Sequence, residues 1–264
     1  MKTRRIPDEL VGSNASGSGD LAAEPQVRLN LLPTCQLEID GEGARLQTGA
    51  QRLLAYLALQ DGPVLRATVA GVLWLDSTEE HAHASLRSAI WRLGRCGVPL
   101  IVADRDILGL GDRLEVDFRR VVRLAKQLIA DPEECDVATL DPKVLSVDLL
   151  VGWYEDWVVF EQERLRQLRI HALEALARQL VAERRFGPAV DAAFAAVHAE
   201  PLRETAHRTL IETFLAEGNP AEAIQQYRRF AALLGRAVGI APSEPLQRLV
   251  EEMTADTSVR RPHG

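Results

Sequence analysis

Apolar and polar residues alternate in short runs from residue 27 onward, before the pattern changes to a helical one. Alternation with a period of two is typical of strands that bury one face. Asp40, Gly41 and Gly43 interrupt these runs, and residues of these types favour turns. The pattern predicts three short strands, at residues 27–32, 36–39 and 44–47.

Three helices are predicted next, because apolar residues then recur every three or four positions. Leu53, Leu54, Leu57 and Ala58 mark the buried face of the first helix, which ends at the turn residues 61–63. The predicted bounds of the three helices are about 50–60, 66–75 and 79–95.

The third of these helices has two faces of different chemistry. Ala82, Leu86, Ile90 and Leu93 follow the spacing of one buried stripe. The opposite face is basic, and no acid occurs in the second half of the helix. We expect that face to present Ala84, Ser88, Trp91 and Arg95, flanked by Arg87 and Arg92.

A β-hairpin is predicted after the third helix. Residues 100–103 and 107–110 alternate around the charged turn 104–106, and residues 113–116 are predicted as a further strand. Strands, three helices and a terminal hairpin are typical of a winged helix-turn-helix. In that fold the third helix enters the major groove of DNA, and the hairpin lies against the backbone. The acids on either side of Arg105 weaken the hairpin tip as a phosphate clamp.

The basic face of the third helix predicts a DNA-binding site. Guanidinium groups pair with phosphates or with guanine edges, and Ser88 is small enough for close approach. We expect groove contacts from Arg87, Ser88, Trp91 and Arg92, with Arg95 and Arg105 nearer the phosphates. The alternative is an ordinary solvated arginine face. Trp91 fits two roles equally: packing on a sugar or thymine methyl, or packing against a neighbouring domain.

From residue 117 the pattern becomes helical throughout. A helix is predicted up to Asp131 and Pro132, and a less regular region follows. A long amphipathic helix is predicted at about 159–185, and a last helix at about 244–253.

From the long helix onward, equivalent residues recur 34 positions apart, as Ala189 and Ala223 do. That spacing is the period of the tetratricopeptide repeat, whose helical hairpins stack into a protein-binding surface. Chance alanine periodicity in an ordinary bundle is the alternative. The other matching pairs are Ala177 with Ile211, Leu180 with Phe214, Val190 with Ile224, and Ala193 with Tyr227.

Together the patterns predict a mainly α protein with two domains. An N-terminal α+β winged helix-turn-helix domain precedes an all-α, tetratricopeptide-like repeat domain. The predicted segments are a disordered arm at 1–26, the winged-helix domain at 27–116, the repeat domain at 117–255 and a flexible tail at 256–264.

Composition limits where DNA could bind and where the protein functions. The net charge is −7, so a DNA-binding surface must be local. The three cysteines are far apart, which argues against disulfides and zinc and fits a reducing cytosol. No secretory signal or membrane-spanning run is apparent. We expect a cytoplasmic protein.

No enzyme motif is present, and we predict no catalytic, metal or cofactor site. His81 and His83 lie near two glutamates, but a spacing of two on a helix points the imidazoles apart. Glu155 and Asp156 lie between Trp153 and Trp157. This patch could be a small active site or a polymerase contact, but we favour an aromatic lock between helices.

The order of parts resembles the SARP (Streptomyces antibiotic regulatory protein) class of transcription activators, in its compact form. That class joins an OmpR-type winged helix to a bacterial transcriptional activator domain. The resemblance covers nearly all of residues 27–255. The stretches that carry it are QRLLAYLA (51–58), VLW (72–74), ASLRSAIWRL (84–93), GWYEDW (152–157), EQERL (161–165), EPLRE (200–204), and the segment from QY to GIAP (226–242).

The resemblance implies a regulator that binds repeated half-sites in promoter DNA and recruits RNA polymerase. Paired half-sites favour a homodimer on the DNA. It implies no cofactor. The chain lacks a GxxxxGK[ST] phosphate loop, so we expect no ATP-driven switch. Gly94 interrupts what is often a basic helix end. The competing hypothesis is a protein-interaction scaffold whose winged helix no longer binds DNA, which the acidic total charge favours.

Overall fold

A computed structural model describes residues 25–137 and 140–259, with the side chains up to residue 252. Nearly all of the predicted arm, and residues 260–264 of the predicted tail, lie outside this range. The elements in chain order are β1 (Val27–Asn30), β2 (Gln36–Ile39), β3 (Glu42–Ala44), α1 (Thr48–Leu59), β4 (Val64–Leu65), α2 (Arg66–Leu73), α3 (Glu79–Gly94), β5 (Ile101–Ala103), β6 (Ile107–Leu110), β7 (Leu114–Val116), α4 (Asp117–Ala130), α5 (Asp156–Ala182), α6 (Phe186–Ala199), α7 (Glu204–Glu217), α8 (Pro220–Val238) and α9 (Glu244–Val259).

The N-terminal strands form a four-stranded sheet in the order β3-β2-β1-β7. Asp40 and Gly41 both have positive φ, 53° and 81°, which suits a two-residue hairpin turn. This turn pairs Ile39 with Glu42, so β3 begins at once. The predicted strand at 44–47 was therefore placed too late along the chain.

Helices α1, α2 and α3 pack on one another beside a second, three-stranded sheet in the order β4-β6-β5. The predicted hairpin forms β5 and β6 of this sheet. The sequence prediction omitted β4, which is only two residues long. It included the strand at 113–116, but this strand is β7 and pairs in parallel with β1, outside the wing.

Every regular element described from Asp117 onward is a helix, with a less regular region between α4 and α5, and the predicted fold class is confirmed. Helix α5 packs against both α6 and α7, and α7 packs against α8, as expected for stacked helical hairpins. Ala189 and Ala223, which are 34 residues apart, are both fully buried. Small side chains at these positions let paired helices approach closely. Helix α9 continues to Val259, past the predicted end at 253 and into the predicted tail.

One hydrophobic core continues from the winged helix into the helical repeats. Backbone N–H groups of Leu150 and Val151 donate to the carbonyls of Leu31 (2.9 Å) and Pro33 (2.7 Å), at the end of β1. The carboxylate of Asp117 accepts from the N–H groups of Leu31 and Leu32. These bonds fix the helical part to the N-terminal sheet.

Candidate nucleic-acid interface

Helix α3 is held by its N-terminal cap and by its apolar face. The Thr78 hydroxyl accepts from the His81 N–H, and Glu79 and Glu80 lie at the positive end of the helix. Its buried residues pack against α1 and α2. They are Ala82, Leu86, Ala89 and Leu93. Ile90, which we predicted as part of the buried stripe, is only half-buried, and Ala89 takes its place.

The opposite face of α3 is solvent-exposed, as its periodicity predicts. Arg87, Ser88 and Arg92 are all exposed. The guanidinium groups of Arg87 and Arg92 have no hydrogen bond or ion pair with any residue in the described part of the chain. Two unpaired cations on one helix face are therefore available to a partner.

Trp91 lies between these arginines with 60% of its surface exposed. The Arg95 guanidinium stacks over its ring, 4.9 Å from the centroid, in a cation–π contact. The structure thus does not support the alternative in which Trp91 packs against the second domain. Arg95 follows Gly94 at the end of α3, and its guanidinium is directed back over the helix.

The wing ends in an exposed turn of mixed charge. Arg105 is exposed at the tip, and the Asp104 carboxylate accepts from its backbone N–H (2.7 Å). Arg66, at the start of α2, donates its Nε to the Asp104 carbonyl (3.0 Å). The sequence analysis missed Arg66, because its hydrogen-bond partner Asp104 lies 38 positions further along the chain. With Arg66 included, two arginines balance Asp104 and Asp106, and the wing tip is neutral.

The tryptophan patch connects the two halves of the chain. The ring of Trp157 meets Tyr56 of α1 edge-on, with centroids 5.3 Å apart, and Trp153 packs edge-on to Trp157. Glu155 forms an ion pair with Arg52 of α1 at 3.1 Å. These contacts support the aromatic-lock interpretation, with the winged helix as the partner of the long helix.

Candidate metal ligands do not cluster in the part of the chain that the structure describes. Within residues 25–137 and 140–259 no group of three or more His, Cys, Asp and Glu side chains could hold a metal ion. Burial raises the pKa of the Cys35 thiol to about 11. Cys35 is therefore an inert core thiol. No described helix is long and apolar enough to cross a membrane.

Comparisons with known proteins agree with this architecture. Residues 145–254 match the family model of the bacterial transcriptional activator domain. The fold is similar to Mycobacterium tuberculosis EmbR, solved in complex with a low affinity phosphopeptide. The TM-score is 0.72 at 21% identity, covering 88% of this chain. The chain spans 66% of the length of that EmbR chain. No curated protein sequence matches.

These findings agree with the predicted resemblance. The matched family is a transcription-regulator type and not an enzyme family. The match begins after α4, so it covers the second part of the chain, while the likeness to EmbR extends over the winged helix as well. Residues 145–254 are therefore similar to the bacterial transcriptional activator domain, and the fold of the chain is similar to that of EmbR over both the winged helix and this segment.

Proposed function

We propose that this protein is a sequence-specific DNA-binding transcription activator, with α3 in the major groove and the wing beside the backbone. The observation that carries the proposal is the pair of unpaired, exposed arginines, Arg87 and Arg92, on the helix that this fold presents to DNA. In a chain with a net charge of −7, the second half of α3, whose exposed face has arginines and no acid, is a local attraction for phosphates.

The exposed residues of α3 lie at different angles around the helix, and their angles indicate different contacts with DNA. At 100° per residue, Arg87 and Arg92 lie about 140° apart around the helix, on either side of a line through Ser88 and Trp91. Their guanidinium groups therefore point to opposite walls of a groove, where each can take a phosphate or a guanine edge. Ser88 and Trp91 face the groove floor, and the Trp91 ring suits a thymine methyl.

Arg95 and Arg105 have supporting roles in this proposal. Arg95 is drawn over Trp91, so it holds the indole in place and has to turn outward before it reaches a phosphate. Arg105 lies at a wing tip whose charges, with its own included, sum to zero, so it contributes one backbone contact at most. Most of the electrostatic attraction then comes from α3.

Activation is the second element of the proposal. The activator-domain match supports transcriptional regulation, and contacts between the helical repeats and RNA polymerase would complete the mechanism. Because bonds at Leu150, Val151 and Asp117 fix the repeats to the winged helix, DNA binding would also place the repeats at a set orientation near the polymerase.

Selection of bound sequences from random duplexes by the full chain tests DNA recognition. We expect enrichment of one motif, present as repeated half-sites, and polarisation measurements should give tighter binding to it than to a scrambled duplex. Absence of enrichment, together with no binding to any duplex at low salt, would contradict the proposal and favour the scaffold alternative.

Transcription in vitro tests activation separately. A promoter carrying the selected site should give more transcript with purified bacterial RNA polymerase when the protein is present. Arg87→Ala should abolish the increase, and Arg45→Ala, at an exposed arginine just after β3 and outside both α3 and the repeats, should leave it intact. A fall in transcript with the wild-type chain would indicate a repressor.

A further inference from the structure

An open groove lies at the junction between the winged helix and the start of α5. Its volume is about 910 Å³, and residues of α1, α2, the loop between α2 and α3, and the start of α5 line it. That volume is within the range of cavities that hold small organic ligands, which occur preferentially where two domains meet. A molecule bound in this groove would contact both halves of the chain.

Three aromatic side chains line this groove. Trp74 and Trp157 are half-buried, and Tyr154 is 84% exposed. Leu75, which is 78% exposed, adds an aliphatic surface to the same lining. Large apolar side chains that remain this exposed are typical of a surface that binds a ligand. Aromatic rings also attract cations to their faces. The lining therefore suits a ligand with an apolar body and a positive charge.

The charges in the lining are unbalanced. Glu155 is paired with Arg52 at 3.1 Å, and Arg52 is the only cation among the described residues that line the groove. Asp76 and Asp156 are exposed and make no hydrogen bond or ion pair with another residue in the described range. The positive end of α5 attracts the Asp156 carboxylate, but no cationic side chain neutralises it. Two negative charges therefore remain available to a ligand.

Two other classes of ligand do not fit this lining. A phosphate or a carboxylate would be repelled by Asp76 and Asp156, and the cation that it would meet, Arg52, is already paired. A bare metal ion does not fit either, because within the described residues no group of three or more His, Cys, Asp and Glu side chains could hold one. A cation that carries its charge on an apolar body matches both the rings and the acids.

We propose that the groove binds a small organic cation, an ammonium group carried on an aromatic or alkyl body. The ammonium would lie beside Asp76 and Asp156, and the apolar body would pack against Trp74, Tyr154 and Trp157. Because the ligand would contact both the loop before α3 and the start of α5, it would reinforce the junction between the winged helix and the repeats. Binding in this groove does not depend on DNA recognition by α3.

Titration of the full chain with phenethylamine, followed by two-dimensional NMR of the indole N–H groups, tests this site. The chain has four tryptophans, so the indole region contains one signal for each. The signals of Trp74 and Trp157 should shift and saturate, whereas that of Trp91, which is on α3 and outside the groove, should stay in place. Phenethyl alcohol and phenylacetate carry the same ring with a neutral and a negative group, and are the matched ligand controls.

We expect a dissociation constant of about 1–5 mM for phenethylamine, as for other ligands of this size. Phenethyl alcohol should bind at least about fivefold more weakly, because only the ammonium gains from the carboxylates and the ring faces. Phenylacetate should bind at least about tenfold more weakly, because Asp76 and Asp156 repel it. Binding of the amine should also weaken between about 0.1 and 0.5 M salt, whereas binding of the alcohol should not.

Two variants test the residues of the groove. Asp76→Asn/Asp156→Asn removes both charges at nearly constant shape, so it should weaken binding of the amine at least about fivefold and leave binding of the alcohol unchanged. Tyr154→Leu keeps an apolar side chain but loses the ring, so it should weaken binding of the amine about two- to fivefold. Asp112→Asn/Asp191→Asn removes two exposed acids outside the groove and should bind as the wild type does. Circular dichroism verifies that each variant is folded.

Three results would overturn the proposal. The first is the absence of saturable shifts of the Trp74 and Trp157 signals up to about 20 mM amine, which would indicate that the groove serves a protein segment instead. The second is equal affinity for the amine and the alcohol, which would make the groove a general apolar surface. The third is unchanged binding of the amine in folded Asp76→Asn/Asp156→Asn. A failure of α3 to bind DNA would change none of these outcomes.

Discussion

Removing the Arg119 side chain should loosen the attachment of α4 to the winged helix. Helix ends leave carbonyls without a partner inside the helix. At the end of α1 the Leu57 carbonyl accepts from the Gln60 N–H (3.3 Å), but the Ala58 and Gln60 carbonyls accept from no backbone N–H in the described chain. Arg119 supplies donors to the carbonyls of Gln60 (2.6 Å), Ala58 (3.0 Å) and Leu57 (3.4 Å). In Arg119→Ala these carbonyls lose their charged partner, and only water can replace it.

The magnitude follows from the number and quality of these bonds. A hydrogen bond from a charged donor contributes about 1.5–3 kcal/mol when buried. Arg119 is only half-buried, so we take about 1–1.5 kcal/mol for each of the two shorter bonds and little for the longest. Arg119→Ala should therefore lower the free energy of unfolding by about 2–3 kcal/mol.

Urea unfolding followed by circular dichroism measures this change as a shift of the midpoint, by about 1 M for a slope of 2–3 kcal/mol/M. Arg119→Lys is the informative control, because an ammonium keeps the charge but lacks the planar fork and reaches fewer carbonyls. We expect it to lose about half as much. A loss below about 0.5 kcal/mol in Arg119→Ala, or equal losses in both variants, would refute this account of the junction.

Two further predictions concern the wing and the helical repeats. A Cβ at Gly111 would overlap the Pro99 carbonyl oxygen, so Gly111→Ala should destabilise the protein by about 1–3 kcal/mol. At Gly109 a Cβ would come no nearer than 3.7 Å to Pro63, so Gly109→Ala should cost little; urea unfolding followed by circular dichroism measures both variants. Burial lowers the pKa of His207, whose ring bonds the Pro201 carbonyl and the side chain of Gln226, so folding favours the neutral ring. The stability that the neutral His207 ring contributes is fully present at a pH above its unfolded pKa of about 6.5. As the pH drops below that value, this contribution decreases by up to about 1.4 kcal/mol per pH unit. Between pH 7 and pH 5 the unfolding free energy of His207→Asn should change less with pH than that of the wild type; parallel curves would contradict this.

Local patterns were enough to predict the elements that carry the candidate site. Thr78 and the acids after it mark the start of α3, and the helical period separates Leu86 and Leu93 from Arg87 and Arg92. Once Leu86 and Leu93 are buried, the helical period alone places Arg87 and Arg92 on the exposed side. The DNA contacts of those residues remain predictions.

Features that depend on contacts between distant residues could not be predicted in this way. Strand β4 has two residues and exists because Val64 pairs with Leu108 of the hairpin. The charge balance at the wing tip depends on Arg66, and the link between α4 and α1 depends on Arg119, neither of which belongs to a local motif. The helix α9 continued past the last strongly apolar turn, where periodicity gives no signal.

The salt dependence of DNA binding by arginine variants of α3 tests the central claim most directly. The measurement is fluorescence polarisation of the full chain on its selected duplex, over a series of salt concentrations. The test variants are Arg87→Ala and Arg92→Ala, and Arg236→Ala, at an exposed arginine on α8, is the control. Removal of an arginine that contacts a phosphate should reduce the slope of log K against log salt by about 1. Removal of one that contacts a base should weaken binding by about 1–3 kcal/mol and relax specificity at one position of the site. Arg236→Ala should match the wild type. Unchanged affinity and slope in both Arg87→Ala and Arg92→Ala would contradict the assignment of α3 as the DNA-binding helix.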